Sequence, residues 1–286
     1  MPGWRNRATS PVGTALSRAE GIAKPLQETH MLIIRRQQLE VFEQAALRRF
    51  EDEMVVHSKE FTPRLCEVIG DEQLRVALRQ AISRAGTYGF THQGPIRLFI
   101  ELMFLCGSDF DNDPQYPALA AILNTSGEQM QRAERIYERV LDYQEKVSGP
   151  DTENTRKALQ ALSIFARMPI TFSSNDFISG MLQEMTDAFP QKVAYIGDEA
   201  LTALIYEGRA EARRYRFPTV RGETLVVVLM FAFGHGCTND PLYPWIARTL
   251  TDERIIDPAA RAERLEKKAL TWLEHVIALP SAGAQT

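Results

Sequence analysis

The chain has 286 residues, 44% of them hydrophobic and 24% charged, with 33 Lys and Arg against 37 Asp and Glu. That composition is rich enough in apolar residues to bury a sizeable core, and it excludes collagen-like, mucin-like and wholly disordered chains. A net charge of −4 argues against a nucleic-acid partner, because neutralising phosphates takes a basic surface.

Residues 1–30 have no apolar stretch of the signal-peptide kind and are broken by Pro2, Pro11 and Pro25, so they read as a disordered tail or an over-extended start upstream of Met31. Leu32-Ile33-Ile34 allows a short extended entry, and a long helix-forming segment follows at 36–60. Leu74, Ala77, Leu78, Ala81, Ile82 and Ala85 then fall on one i, i+3, i+4 stripe, the mark of an amphipathic helix. Phe99, Leu102, Met103 and Cys106 make a second stripe, and a third runs from Ala133 through Ile136 and Val140 to Val147. Ser148-Gly149-Pro150-Asp151-Thr152 breaks that helix and offers an N-cap for another at 152–167. Ile170-Thr171-Phe172 allows a second short extended entry. Val226, Leu229, Met230 and Phe233 repeat the second stripe, and Ala262, Leu265, Ala269, Leu273 and Val276 repeat the third. The segment Thr251 to Lys268 intersperses both signs of charge at helical spacing and reads as a solvated helix face. The reading is all-α, with no convincing period-two segment.

Self-similarity organises this pattern. Residues 88–123 align without a gap to 215–250, with 14 identities in 36 positions at an offset of 127. Ile69-Gly70-Asp71-Glu72 and Ile196-Gly197-Asp198-Glu199 keep the same offset, and after a two-residue insertion Arg132-Ala133-Glu134-Arg135 matches Arg261-Ala262-Glu263-Arg264. The expectation is two tandem homologous helical units packed as a pseudo-symmetric array: a tail at 1–30, unit one at 31–147, a linker at 148–156, unit two at 157–278 and a tail at 279–286. A period this long is not that of a solenoid.

Positions shared by the copies read as fold. Gly107 and Gly234 follow the most apolar helices, where a left-handed C-cap wants glycine. Asn112-Asp113-Pro114 and Asn239-Asp240-Pro241 read as helix restarts, with Asp as cap and Pro at the first helical position. Asp109, Asp111 and Asp113 have the D-x-D-x-D spacing of a calcium loop. The sixth position is Pro114 where a glycine is needed, and the twelfth is Ala120 where a bidentate Glu belongs, so no metal is assigned.

No zinc, dinucleotide, P-loop or nucleophile-elbow motif occurs, and no cofactor is implied. Cys66, Cys106 and Cys237 read as buried free thiols in a reducing, cytoplasmic setting. The longest apolar run, Leu225 to Phe233, falls short of the ~20 residues that span a bilayer. Glu101 interrupts the apolar helix, either as a charge at its wet edge or as a partly buried carboxylate with a partner such as Arg97.

The stretch from Met31 (MLIIRRQQLEVF), through the YGFT segment, to LMFLCGSDFDNDPQYPALAAIL resembles a group of small, uncharacterised bacterial proteins encoded beside type VI secretion spike and effector genes. Unit two is similar through LMFAFG and NDPLYPW. The resemblance implies an accessory protein for a secreted toxin, such as a chaperone, adaptor or immunity protein, and supplies no catalytic residues. The expected function is therefore non-enzymatic binding of a protein partner, with Glu101, Asp109, Phe110, Asp111, His235, Cys237 and Trp245 as partner-binding positions. The alternatives are an effector or enzyme using a carboxylate site around Glu101 and Asp109, or a structural part of the secretion machine.

Overall fold

The computed structural model describes residues 36–278, of which the side chains of 36–40, Glu43 and 276–278 are left aside. The two tails and the Leu32-Ile33-Ile34 entry lie outside the described residues. Among those residues the chain forms twelve α-helices and no strand, as the period of its apolar residues requires. None of these helices is long and apolar enough to cross a membrane.

Helix α1 (Arg36–Phe61) and α2 (Pro63–Thr87) form an antiparallel pair. Pro63 takes the first position of α2, where its missing N–H costs nothing. Helix α3 (Gln93–Cys106) packs on α2, and α4 (Pro117–Leu123) and α5 (Gln129–Tyr143) follow. Helix α5 runs into a π-helical turn at Gln144–Ser148, which places Val147 in the core. The linker is taut: Gly149, Asp151 and Thr152 all adopt positive φ, and α6 begins at Glu153 and ends at Phe165. Ile170-Thr171-Phe172 lies in a loop without a strand. Then come α7 (Phe177–Ala188), α8 (Pro190–Ile196), α9 (Asp198–Arg214), α10 (Val220–Phe233), α11 (Pro244–Leu250) and α12 (Pro258–Ala278). Residues 251–257 of the charged segment form a loop before α12.

Helices α3 and α10 are the centre. From Leu98 to Phe104 every side chain of α3 is buried, and α10 buries Val226, Val227, Leu229, Met230, Phe231 and Phe233. A helix apolar on all sides is stable only when surrounded. Around α3 stand α1, α2 and α5, and around α10 stand α9 and α12.

Positions 127 apart take matching backbone shapes. Both central helices have 14 residues, and α4 and α11 have seven each. Gly107 (φ 94°, ψ 156°) and Gly234 (φ 96°, ψ 153°) end α3 and α10. Gly70 (φ 75°, ψ 162°) kinks α2, and Gly197 (φ 86°, ψ 157°) separates α8 from α9. The glycine requirement at 107 and 234 is met with extended ψ, not with the left-handed helical cap expected from the sequence.

Candidate functional site

The loops that leave α3 and α10 meet each other. A Cβ on Gly107 would stand 2.4 Å from the Phe233 carbonyl oxygen, and one on Gly234 would stand 2.7 Å from the Cys106 carbonyl oxygen. Only glycine permits two backbones to come this close. Asp113 Oδ2 accepts the backbone N–H of His235 at 2.7 Å, and Asp240 Oδ2 accepts that of Ser108 at 2.8 Å. The Ser108 hydroxyl adds a bond to Asp240 Oδ1 at 2.6 Å.

Asp113 and Asp240 also accept the N–H groups of Gln115 and Leu242 two residues on, each at 2.8 Å. They therefore cap turns, and this corrects the expectation that helices restart at Pro114 and Pro241. The helices begin at Pro117 and Pro244, because each Asp is already committed to its own turn and to the opposite loop. Burial pushes both carboxyls above the usual Asp range, against the hydrogen bonds that favour the charged form.

The predicted partner-binding positions separate into distinct settings. Phe110 and Cys237 are fully buried, and Phe110 packs on Phe99 with ring centroids 4.7 Å apart. Asp109 and Asp111 both pair with Arg84, the latter at 2.6 Å, and Tyr88 donates to Asp111 at 2.8 Å. Two carboxylates of the D-x-D-x-D run thus share Arg84, while the third, Asp113, turns to backbone N–H groups of its own turn and of the opposite loop. His235 stands between the two loops, Nδ1 at 3.1 Å from Glu207 and Nε2 at 2.9 Å from Asn112 Oδ1. Trp245 is half-buried beside Phe233.

Glu101 lies apart from that junction, and it is 9% exposed. His57 Nε2 stands 2.8 Å from its Oε1, and Arg97 donates to the same oxygen at 3.0 Å. Burial pushes this carboxyl up, but the His57 and Arg97 hydrogen bonds and charges together bring it below its ordinary range. The partly buried carboxylate with an Arg97 partner is the arrangement found, joined by a His57 that the sequence did not connect to it. All three cysteines are buried and free, and burial pushes the Cys106 thiol up to about 12, which makes it a poor nucleophile.

Sequence reasoning missed Lys192. This residue of α8 is 5% exposed and donates to the Phe231 carbonyl near the C-terminus of α10. Its Nζ lies 4.5 Å from the Phe231 ring centroid and 5.9 Å from that of Tyr116. It fills the role of a cation at a helix C-terminus, where carbonyls lack helical partners. Beside it opens a cavity of about 360 Å³, reached by α3, α4, α5, α6 and α8. Only its contacts with the distant Phe231 and Tyr116 make this lysine unusual.

No family model, curated protein or solved structure matches the chain.

Proposed function

We propose that the chain is a non-enzymatic helical protein-binding protein, built from one ancestral unit used twice, that serves as a chaperone, adaptor or immunity protein for a type VI secretion effector in the cytoplasm. The observation that carries protein binding is the first half of α1. Phe50, Met54, Ser58 and Phe61 form the row of α1 that faces α2 and α3, and Phe50, Met54 and Ser58 are buried. Leu47 continues this row at 52% exposure, because α1 overhangs the body before Phe50. Val41 and Phe42 are 66% and 63% exposed on the same overhang. An amphipathic helix with its apolar row uncovered suits a second helix or groove laid against it.

Common ancestry of the two halves is supported by the paired glycines, the reciprocal Asp113 and Asp240 bonds, and a contact that has changed its chemistry. Arg84 meets Asp111; at the same offset, Glu211 accepts the Thr238 hydroxyl at 2.9 Å. The partner's specificity would draw further on Asp109, His235 and Trp245, whose side chains reach the surface.

Co-expression with the products of adjacent genes tests the reading. A stable complex with one of them, weakened by Leu47→Asp, is the expected result. Failure to bind any neighbouring product would reject it. The alternative of a carboxylate enzyme is disfavoured by geometry, since Glu101 is held by Arg97 and His57 and Asp109 by Arg84.

A further inference from the structure

The cavity beside Lys192 goes beyond that reading and stands independently of it. Its walls are apolar and aromatic, with Leu102, Phe104, Val140 and Phe189 among them. Tyr116, Tyr143 and Tyr195 form a chain of edge-on rings along one side, with centroids 5.9 and 5.3 Å apart. Tyr195 spends its hydroxyl on Asp142 at 3.0 Å. Arg139 lines the cavity from the exposed side.

Among the described residues, Lys192 is the only ammonium on this lining. Its one protein acceptor among the described residues is the Phe231 carbonyl, and an ammonium has three N–H groups to place. The Phe231 and Tyr116 rings beside it attract a cation but accept no conventional hydrogen bond. Burying a charge without a counter-ion costs several kcal/mol. Asp113, whose charge acts on it, makes no hydrogen bond to it and is occupied by N–H groups of Gln115 and His235.

We propose that this cavity binds a small aryl carboxylate, with the carboxylate paired to the Lys192 ammonium and the ring held among Tyr116, Tyr143 and Phe189. A pocket of this size, mostly apolar with one fixed charge, is suited to such a ligand. A monoanion fits better than a phosphate, whose oxygens need more donors than one lysine provides. Arg139 at the rim draws anions inward.

The test uses 3-phenylpropanoate, its neutral amide and 3-phenylpropylamine, titrated calorimetrically into the full chain at pH 7. The acid is expected to bind at least about tenfold more tightly than the amide, the ratio that a charge-assisted hydrogen bond gives, and the amine not at all. Lys192→Met should erase the preference for acid over amide. Thr155→Trp, at a half-buried lining position on α6, should block both ligands and leave the unfolding transition in place. Equal binding of acid and amide, no binding of the acid at millimolar concentration, or an acid preference that survives Lys192→Met would overturn the proposal. If Lys192→Met does not fold, the acid-to-amide ratio in the unmodified chain and the loss of binding of both ligands in Thr155→Trp decide it.

Discussion

Gly107 and Gly234 lie backbone against backbone where the two central helices end, so that a Cβ on either would fall within 3.2 Å of the other's Cα. This contact, and the two aspartates that bond across it, lock the loops into one junction. Gly70 has a similar positive φ but open space around it. Gly107→Ala and Gly70→Ala therefore both incur backbone strain, of order 1–3 kcal/mol, and only the first adds a steric overlap. Denaturant unfolding should show Gly107→Ala the less stable by at least about 1 kcal/mol. Equal losses would mean that the loops can part freely.

Asp113→Ala removes the acceptor of the His235 and Gln115 backbone N–H groups, while the Gln115 side chain keeps its bond to the Met230 carbonyl. Each buried donor left without a partner costs about 1–3 kcal/mol. Asp240→Ala should cost a similar amount, since it orphans Ser108 and Leu242. Because the two carboxylates share one junction, the double variant is expected to lose less than the sum of the singles. Additivity in a double-mutant cycle would show that they act separately.

Glu101 sets a pH dependence whose sign follows from its lowered pKa. The folded state favours the ionised form, so this contribution is present above the ordinary Glu value of 4.5 and is lost as pH falls below it. Glu101→Gln should flatten the acid limb of the stability curve. An acid limb unchanged in this variant would place the ionised Glu101 outside the stabilising network.

Lys192 acts at the other end of the scale. Burial lowers its pKa from 10.5 to about 8, so above pH 8 the unfolded chain holds a proton that the folded chain has released. Stability from this group therefore rises between pH 8 and 10.5. The buried tyrosines Tyr116, Tyr143 and Tyr243 have raised pKa values and oppose that trend only as pH approaches 10. Between pH 8 and 9.5 the wild-type chain should gain stability relative to Lys192→Met. A constant difference across that range would mean that the amine is not desolvated.

What the sequence made legible is what local periodicity encodes. The apolar helices ending at Cys106 and Phe233, the α2 stripe from Leu74 to Ala85, and the glycines after α3 and α10 were all readable from spacing. Asp113 was misread because a short-range rule, Asp before Pro as a helix cap, competes with a turn bond to Gln115 and a bond to a residue 122 positions away. His57 could not be tied to Glu101, since 44 residues separate them. Lys192 gives no signal in the sequence: it is buried beside Phe231 and Tyr116, which no pattern within α8 announces.

The protein-binding reading rests on the uncovered row of α1. The measurement that bears on it most directly is co-purification of the chain with each adjacent gene product, in the unmodified form and as Leu47→Asp. Leu47 is half exposed, so the variant should fold with a stability change within about 0.5 kcal/mol. Protein binding through α1 predicts a stoichiometric complex with one neighbour and at least about a tenfold loss of affinity in the variant. A complex that Leu47→Asp leaves untouched would contradict docking on α1, and no complex with any neighbour would contradict the function itself.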